Sequence, residues 1–293
     1  MPKQPEKFPL HDIDPLRSFP QLAEIPQPPT MLHVRGSLDR MKDTVLLNVV
    51  GSRKFSLYGK ACCEELIAGL EGHDITIVSG LALGIDAIAH RAALNAGLPT
   101  LAFPGSGLAW SALYPVANKQ LAIDILQAGG ALLSESDHTQ EGASWTFPRR
   151  NRLLAGISMM TLIIEAEEKS GTLITARLAT DYNKIVGTVP GPITSKSSRG
   201  SNWLLKQGAV PVTTSLDILR ELGFEEKQTV KKIHEIILND EEERIMEYLT
   251  TPRLKETIIQ ELELEPGTAA ITFSTLEIKG CIRETLGLIE RAQ

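Results

Sequence analysis

Residues 144–177 combine the side chains needed to hold a charged polymer whose bases are unstacked. The aromatic and basic residues at the start of this stretch are Trp145, Phe147, Arg149, Arg150 and Arg152. Arginines neutralise phosphates, and aromatic faces stack against bases, so the combination predicts binding of single-stranded nucleic acid. The alternative is an amphipathic helix whose arginines are only solvated.

The same stretch contains an anion-binding type of turn, Lys169-Ser170-Gly171, before an apolar helical pattern. Free amides at a helix start attract phosphate, and Lys169 adds charge. The simpler interpretation is that Ser170 only caps the helix. Trp145 and Phe147 could each be a core anchor, which is the usual role of a single aromatic, but Phe147, two residues before Arg149, is predicted to stack a base.

Strand-like apolar runs alternate with helical stretches through the middle of the chain, which predicts an α/β fold with an extended Rossmann-like parallel sheet. The runs are Val45–Val50, Ile75–Val78, Thr100–Phe103, Ala131–Leu133, Met159–Ile164, Ile185–Val189 and Ala209–Val212. Small residues follow several of these strands. Because the carboxyl ends of parallel strands meet at one edge, that edge is predicted to be the ligand surface.

The turns after the first two of these strands supply further candidate residues. Gly51 and Ser52 offer backbone amides, and Arg53 could clamp a phosphate or instead pair with a nearby glutamate. Gly80 offers an amide after the second strand. Asp86 and His90 resemble a catalytic pair, but a helix-start aspartate and an ordinary i,i+4 contact explain them better.

The sequence predicts no enzyme. Walker A and dinucleotide-binding spacings are missing, and we expect no catalytic residue, cofactor or metal site from the six histidines and three cysteines. The odd cysteine count, with Cys62 beside Cys63, predicts a reduced, cytoplasmic protein. No apolar run has the length of a membrane span.

Composition divides the chain into four predicted parts. Residues 1–40 are rich in proline and predict an irregular arm, 41–223 form the Rossmann-like DNA-binding domain, 224–240 form a charged linker, and 241–293 form a small winged-helix-like domain. The net charge of −6 resides in residues 239–293, which contain 12 acidic and 6 basic residues. The C-terminal domain is therefore predicted to contact protein rather than DNA.

Several long motifs, in order, resemble the DNA processing protein A (DprA/Smf) family between about Gln27 and Gly223. They are VVGSR at 49–53, SGLALGIDAIAHRAAL at 79–94, LYP at 113–115, SE at 134–135, FPRRNRLLAGIS at 147–158, EAEEKSGTLITARLA at 165–179, VPGP at 189–192 and GA at 208–209. The resemblance implies a homodimer that binds single-stranded DNA and loads RecA recombinase in natural transformation. It also implies DNA contacts by Arg53 and Phe147.

The position after Tyr114-Pro115 is Val116, where a polar or basic residue is expected in many members of the family, and Lys119 is a possible substitute. Two other functions stay open. One is an enzyme that acts on a nucleoside monophosphate at the same sheet edge. The other is a protein adaptor that acts through the acidic C-terminal domain.

Overall fold

The structure is a computed structural model that describes residues 8–224, 238–249, 251–279, 281–285 and 287–291. The chain divides into two compact units, Met1–Lys227 and Gln228–Gln293. Within the described residues, no helix is long and apolar enough to cross a membrane.

A nine-stranded sheet forms the centre of the first unit. Its strands are β1 (Leu10–Ile13), β2 (Leu32–Gly36), β3 (Val45–Val50), β4 (Ile75–Ser79), β5 (Thr100–Ala102), β6 (Ala131–Ser134), β7 (Met160–Ile163), β8 (Ile185–Thr188) and β9 (Val210–Pro211). Their order is β1-β2-β6-β5-β4-β3-β7-β8-β9, and all pairs from β6 to β9 are parallel. The predicted α/β fold with a parallel sheet is confirmed.

Helices cover both faces of the sheet. They are α1 (Pro15–Ser18), α2 (Leu57–Ala68), α3 (Ile85–Asn95), α4 (Lys119–Gln127), α5 (Thr146–Ile157), α6 (Gly171–Asp181), α7 (Arg199–Lys206) and α8 (Ser215–Glu221). Side chains alternate along β3, so Leu47 packs in the core with α2, α3 and α8, whereas Leu46 packs in a second core with α5 and α6. Burial on both faces explains why these strands are apolar at almost every position.

Residues from Leu10 onward form part of this domain, which corrects the prediction of an irregular arm for that portion of 1–40. Strand β1 pairs antiparallel with β2, and β2 pairs antiparallel with β6 at the sheet edge. Leu22 and Ile25 are fully buried in the core beside α5. The high proline content predicted irregular structure, but Pro15 and Pro20 occupy the first turns of short helices. A missing backbone N–H removes no helical hydrogen bond at that position.

Within the residues that the structure describes, the second unit contains three helices and a small sheet. They are α9 (Asp240–Tyr248), β10 (Arg253–Leu254), α10 (Lys255–Glu261), α11 (Pro266–Ile278), β11 (Ile282–Thr285) and β12 (Leu288–Arg291), with strand order β10-β12-β11. The buried carboxylate of Glu242 accepts from Lys279 at 2.6 Å. The winged-helix assignment of 241–293 stays a prediction, and most of the predicted linker at 224–240 lies outside the described residues.

Candidate nucleic-acid interface

The sheet has one point where the chain changes winding direction, between β3 and β7. From β3 the chain proceeds to β4 on one side, and from β7 it proceeds to β8 on the other. The loops that leave β3 and β7 therefore diverge and open a crevice at the carboxyl edge, which is where open α/β sheets bind ligands.

A groove of about 820 Å³ occupies this crevice. The loop after β3 forms one wall, α5 and residues 142–144 form another, and residues from Glu167 into α6 form the third. The predicted residues that line it are Gly51, Ser52, Arg53, Phe147, Arg150, Lys169, Ser170 and Gly171. The structure therefore brings Arg53, Phe147 and Lys169 to one groove, although they come from three separate segments.

Arg53, Phe147 and Tyr114 form a cationic and aromatic cluster in this groove. The guanidinium carbon of Arg53 lies 5.1 Å from the centroid of the Phe147 ring. The Tyr114 and Phe147 rings are 5.9 Å apart and tilted by 59°. Phe147 is half-buried against Gly105, where a Cβ would lie 2.3 Å from the ring. A base could stack beside this cluster while Arg53 contacts a phosphate.

The turn after β3 is held rigidly by the start of α3. The Ser52 carbonyl accepts from the Ile85 amide at 3.2 Å, and the Ser52 hydroxyl bonds to the Lys54 backbone. Gly84 adopts a φ of +87°, and a Cβ there would lie 2.3 Å from the Ser52 carbonyl oxygen and 2.6 Å from the Arg53 Cα. This packing fixes the backbone from which Arg53 projects.

Lys169, Ser170 and Gly171 stand at the N-terminus of α6 on the far wall. Ser170 caps the helix, because its hydroxyl accepts from the Thr172 amide at 3.1 Å. Lys169 is exposed, and nothing lies within 4 Å of a Cβ placed on Gly171. The capping interpretation is therefore correct, and the helix N-terminus with its lysine still presents positive potential to the groove.

Gly80 does not offer a free amide, which corrects its predicted role. Its N–H donates to the Asp86 carboxylate at 3.1 Å, and its carbonyl accepts from Arg150 at 2.7 Å. A Cβ on Gly80 would lie 2.3 Å from the Arg150 guanidinium. Gly80 is needed for this close approach and does not hold a phosphate.

Arg150 and Arg152 are buried rather than presented to DNA. Arg150 donates to the carbonyls of Gly80 and Phe103 and so joins the ends of β4 and β5. Burial lowers the pKa of Arg150 to about 10 and raises that of neighbouring Asp86, an effect that the positive charge of Arg150 opposes. Arg152 donates to both oxygens of Glu135 at 2.6 Å.

The two remaining predicted cations lie outside the groove. Arg149 is half-exposed and pairs through Nε with Glu135 at 3.1 Å, in a separate crevice. Lys119 begins α4 and is not among the residues that line the groove. Successive helix positions differ by about 100°, so Arg149, Arg150 and Arg152 must point in different directions.

One residue that lines the groove and one in the segment that leads into it were missed as functional candidates. Tyr114 is 43% exposed beside Phe147, and only its place in a Tyr-Pro motif hinted at a role. Glu165 is buried directly after β7 and accepts from the Ser56 amide, the Ser56 hydroxyl and the Ser197 hydroxyl. Its position as a glutamate after an apolar strand was the sequence feature that could have indicated this role. Glu165 joins the loop that contains Ser56 to the loop that contains Ser197.

The Asp86 and His90 pair is not a catalytic pair. His90 is fully buried, and its Nδ1 lies 2.7 Å from the Thr100 hydroxyl. Burial lowers the pKa of His90 to about 3, and nearby positive charges act in the same direction. His90 is therefore a neutral core residue at physiological pH.

Comparisons with known proteins indicate the family of this chain. The family model "DNA recombination-mediator protein A" matches residues 15–223. Protein Smf of Escherichia coli is 40% identical over 205 residues, which are 70% of this chain and 54% of that protein, so the chain spans about half the length of this relative.

Two solved structures are similar to most of the chain. One is DNA processing protein A from Streptococcus pneumoniae, with 38% identity and a TM-score of 0.68 over 75% of this chain and 76% of that chain. The other is DNA processing protein A from Helicobacter pylori, described for its single-stranded DNA binding mode, with 28% identity and a TM-score of 0.65 over 74% of this chain and 96% of that chain.

Proposed function

Because the chain belongs to the DNA recombination-mediator protein A family, we propose that it binds single-stranded DNA in the groove between the carboxyl ends of β3 and β7. The observation that carries the proposal is the juxtaposition of Arg53 with the Phe147 ring at this winding reversal. Lys169, on the opposite wall, adds a second positive charge along the path of the strand.

The aromatic cluster favours a single strand over a duplex. Phe147 and Tyr114 lie within a groove, and a ring there can contact the face of a base only when that base has left its stack. Duplex DNA keeps its base faces covered. The balanced charge of residues 1–238, with 24 acidic and 24 basic residues, also argues against a broad duplex-binding surface.

The role that we propose is binding without catalysis. Asp86 and His90 are the ionisable groups that resembled a catalytic pair. The Asp86 carboxylate accepts hydrogen bonds from the backbone amides of Gly80 and Ala82, and the His90 ring hydrogen-bonds to the Thr100 hydroxyl. The rival function is an enzyme on a nucleoside monophosphate, which would use the same anion-binding sheet edge.

Fluorescence anisotropy with a labelled oligo-dT strand and the matching duplex tests the proposal. The single strand is expected to bind more tightly, and unlabelled oligo-dT is expected to compete where nucleoside monophosphates do not. Equal affinity for the two DNA forms contradicts the proposed groove. Displacement by a monophosphate at comparable concentration favours the enzyme instead.

We propose further that the protein acts as a homodimer and delivers the bound strand to RecA recombinase, in the cytoplasm, during natural transformation. The description of the matching family as a recombination mediator supports this role. Light scattering after size exclusion, with and without oligo-dT, reports the oligomeric state. Faster assembly of RecA filaments on single-stranded DNA in the presence of the protein tests the delivery step.

The acidic C-terminal unit is proposed to contact protein and not DNA. Helix α11 of this unit contains no lysine or arginine, so it lacks the charge that drives binding to phosphates. Removal of residues 241–293 is expected to leave the affinity for oligo-dT unchanged. A large loss of that affinity would assign the unit to DNA binding.

A further inference from the structure

Three potential metal ligands converge at the antiparallel edge of the large sheet. Asp12 lies on β1, His33 lies on β2, and His138 lies in the loop between β6 and α5. Each residue offers one ligand atom, and these three atoms all lie within 4.8 Å of one another. The spacing of these residues in the sequence matches no metal-binding motif, which is why the sequence predicted no metal site.

Strand pairing brings the first two residues together. Asp12 is the direct cross-strand partner of His33, and the Asp12 Oδ1 lies 2.6 Å from the His33 Nδ1. The His138 ring packs on the His33 ring with centroids 4.3 Å apart. The His138 carbonyl accepts from the Ala109 amide at 2.9 Å, which holds this loop in place.

The His138 ring also carries an unsatisfied polar atom. Its Nδ1 is buried and has no hydrogen-bond partner within the described part of the chain. An unpaired buried polar atom costs about 1–3 kcal/mol. Neither Asp12 nor His33 forms a hydrogen bond to this atom, and the Asp12–His33 hydrogen bond alone gives no reason for His138 to be placed there.

We propose that Asp12, His33 and His138 form a binding site for a zinc ion or a similar divalent transition metal. Two imidazoles and one carboxylate are the donor set of many zinc sites, with water at the fourth position. Zinc-bound nitrogen and oxygen atoms lie ~3.4 Å apart in a tetrahedron. The ligand atoms here, at most 4.8 Å apart, need only small side-chain rotations to reach that arrangement.

The metal would act as a clip between separate parts of the fold. It would tie the N-terminal strand β1 to the loop that leads from β6 to α5. That same loop supplies residues 142–144 of the groove and continues into the helix that carries Phe147. The clip would therefore restrict both the sheet edge and one wall of the candidate DNA site.

Zinc binding by the full chain, without a polyhistidine tag and after treatment with a chelator, tests the site. Titration against a chromophoric zinc chelator is expected to give one zinc ion per chain at micromolar protein. Free zinc at a concentration 100 times its Kd is expected to raise the Tm by about 5–10 °C. Cobalt in place of zinc is expected to show d–d absorption without the charge-transfer band of thiolate ligands.

The variants His138→Gln and Asp12→Asn are expected to lose the zinc ion and the rise in Tm. His11→Gln is the matched control, because His11 is the exposed neighbour of Asp12 on β1 and points to the other face. The Tm in the presence of chelator shows that each variant is folded. The proposal is overturned if the wild type binds no zinc, if both variants bind as the wild type does, or if cobalt reports cysteine ligands.

Discussion

Replacement of Arg53 with alanine is expected to weaken oligo-dT binding about 10- to 100-fold. The guanidinium is exposed at the groove, with its carbon 5.1 Å from the centre of the Phe147 ring. A hydrogen bond to a charged group contributes about 1.5–3 kcal/mol, and each ~1.4 kcal/mol corresponds to a factor of ten in Kd. A loss of affinity near 10-fold is expected where water partly replaces the lost hydrogen bond.

The salt dependence of binding separates a phosphate contact from a general loss of structure. Each phosphate neutralised on a single strand contributes ~0.7 to the slope of log affinity against log salt concentration. The Arg53→Ala variant is therefore expected to show a slope shallower by about 0.7. Anisotropy titrations with labelled oligo-dT at four or more salt concentrations measure this slope directly.

Two further variants control this experiment. Arg53→Lys keeps the charge without the two-pronged geometry and is expected to restore most of the salt slope but only part of the affinity. Arg177→Ala removes an arginine that is 85% exposed and paired with Asp181 on α6, away from the groove lining. It is expected to change the affinity less than twofold, since such surface pairs contribute ~0–1 kcal/mol. Wild-type affinity and slope in Arg53→Ala would refute the reasoning.

Three other perturbations test separate parts of the structure. Phe147→Ala should weaken oligo-dT binding through loss of ~1–3 kcal/mol of stacking per base, with Phe147→Tyr near wild type, and equal anisotropy curves for wild type and Phe147→Ala would exclude stacking. Gly84→Ala should lower the free energy of unfolding in urea by more than Gly97→Ala; both glycines have positive φ, but only at Gly84 does a Cβ meet backbone. The pKa of buried His90 is lowered to about 3, so His90 binds a proton more readily in the unfolded chain than in the folded one. The free energy of unfolding is therefore unaffected above pH ~6.5 and declines as the pH falls from ~6.5 towards 3, by up to ~1.4 kcal/mol per pH unit. Urea unfolding at pH 7 and pH 5 should show this loss in the wild type and a smaller one in His90→Gln; equal losses would contradict it.

The elements of the central sheet were predictable because a strand buried on both faces is apolar at nearly every position. The predicted run Val45–Val50 is strand β3 with the same bounds, and Ile75–Val78 differs from β4 by one residue. The N-terminal segment was mispredicted because proline count reports a local preference. Burial of Leu22 and Ile25 under α5 depends on contacts with distant residues.

The candidate site was predictable in type but not in detail. The sequence placed Arg53, Phe147 and Lys169 at one sheet edge, and in the structure all three line one groove. It could not show that Arg53 is exposed and Arg150 is buried, because the burial of an arginine depends on contacts with distant residues. The two arginines differ in solvent exposure. Arg150 is buried and donates to the carbonyls that follow β4 and β5, whereas the Arg53 side chain is exposed at the groove.

The sequence by itself therefore determined the seven strands from β3 to β9, that they run parallel, and which chemical groups reach the edge where ligands bind, because these follow from local periodicity and from the residues in each turn. Only the tertiary structure decided which cations face the groove and which are neutralised in the interior, as Arg152 is by Glu135. It also decided that Asp12, His33 and His138 meet. The physical reason is that burial and pairing depend on the distances between segments far apart in the chain, which local sequence patterns do not encode.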